Sequence, residues 1–299
     1  MSRSSRGRTQ RVVVARPSGF CFGVERAIKL AKQGKAQHGK VYTLGELVHN
    51  PLVLEELESE GICKLARPER ARDGALVIRA HGCPPQVLAR CRELGIKVID
   101  ATCPYVRKVQ DVARRLTDEG YLVVVVGERN HPEVRSILGQ TRGKARVYEP
   151  GMRVRSRKIG LVCQTTMSRD RLREAVANLS RLRYTELRVF DTICGEVTSR
   201  QDAAFRVAHQ CELVVVVGGR SSANTSRLAE IVRQAGKRPV FVERAAELSR
   251  SASRIRRARR IGVVAGSSTP DWVVRDVAQR ATNLSKEVRK QCLTKPKMA

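Results

Sequence analysis

The chain has 299 residues, 41% hydrophobic and only 4% aromatic, so an aliphatic interior has to carry its fold. No stretch approaches the roughly 18 apolar residues of a membrane span, and the basic start MSRSSRGRTQ has no apolar signal core, so a cytoplasmic protein without a membrane partner is expected. Lys and Arg number 58 against 29 Asp and Glu, a formal charge of +29 that attracts polyanions, yet only Arg250 to Arg260 is dense and no zinc-finger, helix-turn-helix or aromatic stacking pattern accompanies it, so specific nucleic-acid binding is not expected.

Apolar, β-branched runs bounded by Gly, Pro or charge predict strands at 11–15, 40–44, 75–79, 97–100, 121–126, 145–148, 158–163, 187–190, 213–218, 239–242 and 260–265. Periodic segments between them predict helices over 24–36, 51–60, 84–94, 104–119, 169–182, 197–210, 225–235 and 271–283. Short strands alternating with helices imply an α/β fold of small, mainly parallel sheets with right-handed crossovers. In such sheets the polar chemistry collects in loops beyond the strands' carboxyl ends.

Three cysteines share one local setting. Cys21 (FCFGV), Cys103 (DATCP) and Cys194 (DTICG) each follow a strand-like run and precede a helix-like one. LVVVVGERNHPEV begins at Leu122 and LVVVVGGRSSANTS at Leu213, each 19 residues after its cysteine. The chain thus reads as three copies of one α/β unit, 11–100, 101–190 and 191–285, between basic tails 1–10 and 286–299, with helix 271–283 closing onto the first unit. The loops follow in order: Cys21, His49 and His81; Cys103, His131 and Gln164-Thr165-Thr166; Cys194, Ser222 with Asn224, and Ser267-Ser268. No unit encloses a site alone, so a pseudo-threefold, trefoil-like assembly with nine loops converging on one cavity is expected.

The other six cysteines, Cys63, Cys83, Cys91, Cys163, Cys211 and Cys292, sit in apolar or helical contexts and read as small buried hydrophobes rather than a disulfide framework. Cys21, Cys103 and Cys194 lack the C-x-x-C pairing usual for zinc. A [4Fe–4S] cluster ordinarily takes four thiolates; three leave one iron open to bind a substrate oxygen. His49, His81, His131, Ser222, Asn224 and Ser268 are hydrogen-bond donors that suit a diphosphate, with loop amides at helix starts adding to the field. Glu133 is the one acidic candidate for proton delivery, with Thr165 or Thr166 orienting its path.

GFCFGV, LVHN, AHG, DATCP, HPEV, QTT, the Ser222-Ala223-Asn224 loop and AGSSTPD occur in an order that resembles the LytB/IspH family, the 4-hydroxy-3-methylbut-2-enyl diphosphate reductases, from about Val12 to Arg280. The resemblance implies a trefoil-like fold around a [4Fe–4S] cluster on Cys21, Cys103 and Cys194. It implies reductive removal of an allylic hydroxyl to give isopentenyl and dimethylallyl diphosphate, the last step of non-mevalonate isoprenoid synthesis. By motif, His49, His81, His131, Ser222, Asn224 and Ser268 would hold the diphosphate, Glu133 would relay protons, and Thr165 would position the substrate hydroxyl. A ferredoxin- or flavodoxin-type protein would donate electrons. Pro17-Ser18-Gly19 and Ala223 depart from the family's Pro-Arg-Gly and Ser-Ser-Asn. The competing readings are a divergent cluster-binding paralogue with an altered substrate or regulatory role, and a basic nucleic-acid-binding protein.

Overall fold

The computed structural model describes residues 12–293, with side chains to Lys286. The predicted tail 1–10 and the side chain of Cys292 lie outside the described residues. The chain forms two compact units: Cys21–Thr198, and the described residues up to Phe20 together with those from Ser199 onward.

In chain order the elements begin with β1 (Val12–Val14), α1 (Phe22–His38), β2 (Val41–Leu44), α2 (Pro51–Ser59), β3 (Ile62–Leu65), β4 (Ala75–Ile78), α3 (Pro85–Glu93) and β5 (Lys97–Asp100). Next come α4 (Pro104–Asp118), β6 (Leu122–Val126), α5 (Pro132–Gly139), β7 (Ala145–Val147), β8 (Lys158–Cys163), α6 (Arg169–Leu179) and β9 (Glu186–Val189). The last are α7 (Gly195–Gln210), β10 (Leu213–Val217), α8 (Ala223–Gln234), β11 (Val240–Val242), α9 (Ala252–Arg257), β12 (Ile261–Ala265) and α10 (Asp271–Leu293).

The strands make three four-stranded parallel sheets, ordered β3-β2-β4-β5, β7-β6-β8-β9 and β11-β10-β12-β1. The order is the same in each: second, first, third, fourth. The fourth place of the last sheet is taken by the chain's first strand, with Val12 opposite Ile261 and Val14 opposite Val263. This corrects the placing of strand 11–15 in the unit 11–100. The closing helix α10 packs on β1, the strand predicted for the first unit, and also on β10 and β12 of the same sheet. It also runs to Leu293, so part of the predicted tail 286–299 is helix. Each cysteine of the repeat thus follows the fourth strand of a sheet: Cys21 after β1, Cys103 after β5, Cys194 after β9.

In Cys21–Thr198 the sheet built on β6 is covered on both faces. Val123 and Val125 pack with Val109, Ala113 and Leu116 of α4 and Ile137 of α5. Val124 and Val126 pack with Ile159, Leu161 and Leu172, Ala175 and Leu179 of α6 on the other face. Burial on both faces is why LVVVV reads as an unbroken apolar run rather than an alternation. In the other unit Val214 and Val216 pack against Ala204, Val207 and Ala208 of α7 and Leu228 and Val232 of α8.

Other expectations miss as well, among them helix α5, which no predicted helix covered. Strand β3 escapes the pattern because Ile62 alone is buried in it while Cys63 and Lys64 face out on a sheet edge. Cys63 is therefore exposed, not a buried hydrophobe, whereas Cys83, Cys91, Cys163 and Cys211 are buried. The basic 250–260 segment, outside every predicted helix, carries α9 and the end of a 3₁₀ segment (Ala245–Ser251). Ile255 and Leu248 anchor these turns with no exposure, and the arginines surround them.

Candidate active site

The polar loops gather at the carboxyl ends of parallel strands. Cys21 and Cys103 occupy the position just before α1 and α4, and their carbonyls accept the first helical N–H groups from Glu25 at 3.0 Å and Arg107 at 2.9 Å. Cys194 does the same for α7, accepting from Val197 and Thr198 at 3.0 Å. Amides at these helix starts also turn to the sulfur atoms: Tyr105 and Val106 donate to Cys103, and Glu196 and Val197 to Cys194. Burial nevertheless pushes both thiols up, and a charge on Cys21 opposes the ionisation of each. Three thiols near enough to sense one another, each half-buried, thus lie within Cys21–Thr198.

A repeated turn presents two of them. Asp100 Oδ1 accepts the N–H of Thr102 at 2.9 Å, and Asp191 Oδ1 that of Ile193 at 3.1 Å. Each aspartate lies three residues before its cysteine and fixes the turn that delivers it. The D-x-x-C spacing is the signal for this turn in the sequence. Across α1, Gly23 leaves room for Cys103: a Cβ there would lie 2.8 Å from its Sγ.

His49, His81 and His131 converge in the same unit, with ring centroids 4.7, 5.2 and 5.7 Å apart. His49 lies beyond β2, His81 beyond β4, and His131 caps α5. Gly82 follows His81 at φ +70°, where a Cβ would meet Gln110 Nε2 and Ser136 Oγ, so the turn needs glycine. His131 Nδ1 accepts the N–H of Glu133 at 3.2 Å, which puts its proton on Nε2. His49 Nδ1 lies 3.3 Å from Glu46 Oε2. Burial holds all three rings neutral: it lowers His49, carries His81 well below the usual imidazole range, and takes His131 to about 3. The neighbouring Arg79 guanidinium pushes each the same way. Arg79 and Glu46 went unremarked in the sequence, although Arg79 stands two residues before His81 and Glu46 three before His49.

Glu133, 1% exposed, completes this group. Thr165 donates its N–H to Oε1 at 2.6 Å and its hydroxyl to Oε2 at 2.8 Å. Burial outweighs both bonds and raises the carboxyl to about 7. The Thr165 carbonyl in turn accepts the N–H of Cys194 at 3.0 Å. Proton-bearing carboxyl and cysteine are thus joined through one residue. Thr166 instead receives the Gln164 amide at 2.7 Å, so Thr165 is the residue on the carboxyl.

In the other unit, Ser222 caps α8 by accepting the N–H of Thr225 at 3.3 Å. Asn224 is 2% exposed, and neither its amide nitrogen nor its oxygen has a hydrogen-bond partner. Ser267 and Ser268 are also buried, beyond β12. Orphaned amide atoms in a buried site are uncommon and costly, and their presence points to a polar ligand. Ala223 takes the first helical position of α8.

The sequence matches the family described as LytB protein over residues 12–282. The chain belongs to the LytB family. It is 39% identical over 277 residues to the 4-hydroxy-3-methylbut-2-enyl diphosphate reductase of Aquifex aeolicus, covering 90% of this chain and 95% of that one. It is also 39% identical over 273 residues to the same enzyme of Geobacter sulfurreducens, covering 90% and 96%. Its fold is similar to a solved structure of (E)-4-hydroxy-3-methyl-but-2-enyl diphosphate reductase, the terminal enzyme of the non-mevalonate pathway, with TM-score 0.67, 36% identity, and 92% and 100% of the two chains covered. A structure of the reductase from Plasmodium falciparum gives TM-score 0.83 at 25% identity, covering 94% and 89%.

LytB proteins use an iron–sulfur cluster. The residues of this LytB chain fit such a group: three thiols at helix starts, amides aimed at sulfur, and the space that Gly23 leaves beside Cys103. None of its described helices is long and apolar enough to cross a membrane.

Proposed function

We propose that the chain is a cytoplasmic reductase of 4-hydroxy-3-methylbut-2-enyl diphosphate. It removes the allylic hydroxyl as water, using two electrons and two protons, and yields isopentenyl and dimethylallyl diphosphate. The observation that carries this reading is the grouping, in one compact unit, of three half-buried thiols, three neutral imidazoles and a buried carboxyl titrating near neutrality.

Cys21, Cys103 and Cys194 would hold a [4Fe–4S] cluster with one iron free of protein ligands. Bound there, it supplies single electrons and a Lewis-acidic position for the substrate oxygen. The chain's own residues do the rest. His49, His81 and His131 bind the diphosphate, His131 through the proton on its Nε2. Ser222, Asn224 and Ser268 are further phosphate donors, and the unmet hydrogen bonds of Asn224 are what such a ligand would satisfy. Glu133, half protonated near neutral pH, delivers a proton through the Thr165 hydroxyl, which also orients the substrate hydroxyl. A ferredoxin- or flavodoxin-type protein supplies the electrons.

Anaerobic reconstitution followed by turnover with reduced methyl viologen tests this. Substrate-dependent oxidation of the dye, lost in Cys103→Ser together with the cluster absorbance, is expected. A Cys103→Ser protein with full cluster and full turnover would refute the assignment.

A further inference from the structure

Two aromatic side chains lie exposed beside the cysteines. Phe22, 54% exposed, follows Cys21, and Tyr105, 48% exposed, lies two residues after Cys103. A chain with so few aromatics would be expected to keep them in its core. A cleft of about 590 Å³ is lined by Thr102 and Pro104, the two neighbours of Cys103, and by Arg26, Arg107, Lys108 and Arg115.

Its charge is held in place. Arg26 donates to the Thr102 carbonyl at 3.2 Å, Arg107 pairs with Asp100 at 2.6 Å, and Arg115 lies over the Phe190 ring, 5.6 Å from its centroid. Asp111, the acidic residue of the lining, pairs with Arg114 at 2.5 Å. Lys108 has no ion-pair partner among the described residues. The cleft is therefore positive, and the exposed Tyr105 follows its lining residue Pro104 in the chain.

We infer that this surface docks an acidic electron-transfer protein, which passes its electrons inward at Cys103. The inference rests on the proposed reductase function and locates its protein partner. Transient redox complexes bury small interfaces, and charge complementarity sets their encounter rate. Phe22 and Tyr105 supply an apolar contact, and the cations select an acidic partner. In each encounter the reduced donor loses one electron and the cluster gains one. Two encounters supply the two electrons of the reaction, and no bond forms or breaks in either protein.

The test uses the holoenzyme and a purified acidic plant-type [2Fe–2S] ferredoxin. Calorimetric titration with oxidised ferredoxin should show binding that weakens steeply with salt. Lys108→Glu should weaken it about tenfold and Phe22→Ala about fivefold, with ferredoxin-driven turnover falling in step. Turnover with reduced methyl viologen should stay within about twofold, since that dye needs no docking surface. Lys144→Glu makes the same charge change at the amino end of β7 and should bind ferredoxin within about twofold of the unaltered protein. Unchanged binding in both cleft variants, or equal weakening by Lys144→Glu, would overturn the inference. So would equal loss of viologen turnover, which would mark a damaged site, or a DNA oligonucleotide outcompeting ferredoxin for Lys108. Absence of substrate-dependent viologen turnover in the unaltered holoenzyme would instead refute the reductase reading, whatever the ferredoxin titration gave.

Discussion

Thr165 grips the Glu133 carboxyl twice, by its backbone N–H at 2.6 Å and its hydroxyl at 2.8 Å. Both bonds favour the charged form, yet the carboxyl still titrates near 7 because it lies buried. A proton donor poised at ambient pH results. Glu133→Gln keeps the shape and removes the titration, so kcat should fall about 10²- to 10⁴-fold with cluster content unchanged, measured by iron analysis beside viologen turnover. Thr165→Val deletes one bond to the carboxylate and should move the alkaline limb of the kcat profile upward, whereas Thr165→Ser should restore it.

The same carboxyl affects stability. Its folded pKa, about 7, lies above its ordinary value of 4.5. Its contribution is therefore complete below pH 4.5 and is lost as pH rises through 7, a change of about 3 kcal/mol. The buried imidazoles run in the opposite sense, so the comparison must be made against Glu133→Gln. Urea unfolding of the cluster-free proteins at pH 4.5 and 8 should show the variant gaining on the parent by about that amount at the higher pH. Equal pH dependence in both proteins would contradict a raised Glu133.

Much of this arrangement was legible in the sequence, for physical reasons. Parallel strands covered on both faces give apolar runs such as LVVVV, and the loops after them must carry the polar chemistry, so the cysteines, the histidines and Glu133 stood out. The sequence could not show that β1 completes the sheet of β10 and β12, because strand pairing is non-local and Val12–Val14 suits any parallel edge. Nor could it show Arg79 or Glu46, whose roles depend on where their side chains point. The helical form of 252–257 was hidden by its arginines, with Ile255 its one fully buried anchor.

Gly23 is a sharper probe of the thiol group than any cysteine. A methyl there would sit 2.8 Å from Cys103 Sγ, where no relaxed contact is possible. Gly23→Ala should therefore lower the iron and sulfide retained after reconstitution by at least about half, with little change in far-ultraviolet circular dichroism. Gly34→Ala on the same helix meets Ile99 Cδ1 instead and should lower stability while leaving cluster content intact.

Because His49, His81 and His131 are neutral in the free protein, a diphosphate entering among them would draw protons in. Ligand charge raises the imidazole pKa values, so affinity should increase as pH falls from 8 to 6, by up to about tenfold per unit for each proton bound. Calorimetry in two buffers of different ionisation enthalpy should register net proton uptake, diminished in His81→Ala. Pyrophosphate binding with no proton exchange at any pH would exclude the role.

Asn224 offers the opposite trade between stability and binding. Its buried amide leaves both polar atoms unmatched in the free protein, at a cost of about 1–3 kcal/mol for an unpaired group. Asn224→Leu keeps similar volume and removes that cost, so thermal unfolding of the substrate-free enzyme should be unchanged or shifted upward. The same change should raise KM for the diphosphate about 10- to 100-fold, since the bonds that would offset the cost in the complex are gone. A variant destabilised without substrate and unimpaired with it would show that Asn224 serves the fold rather than the ligand.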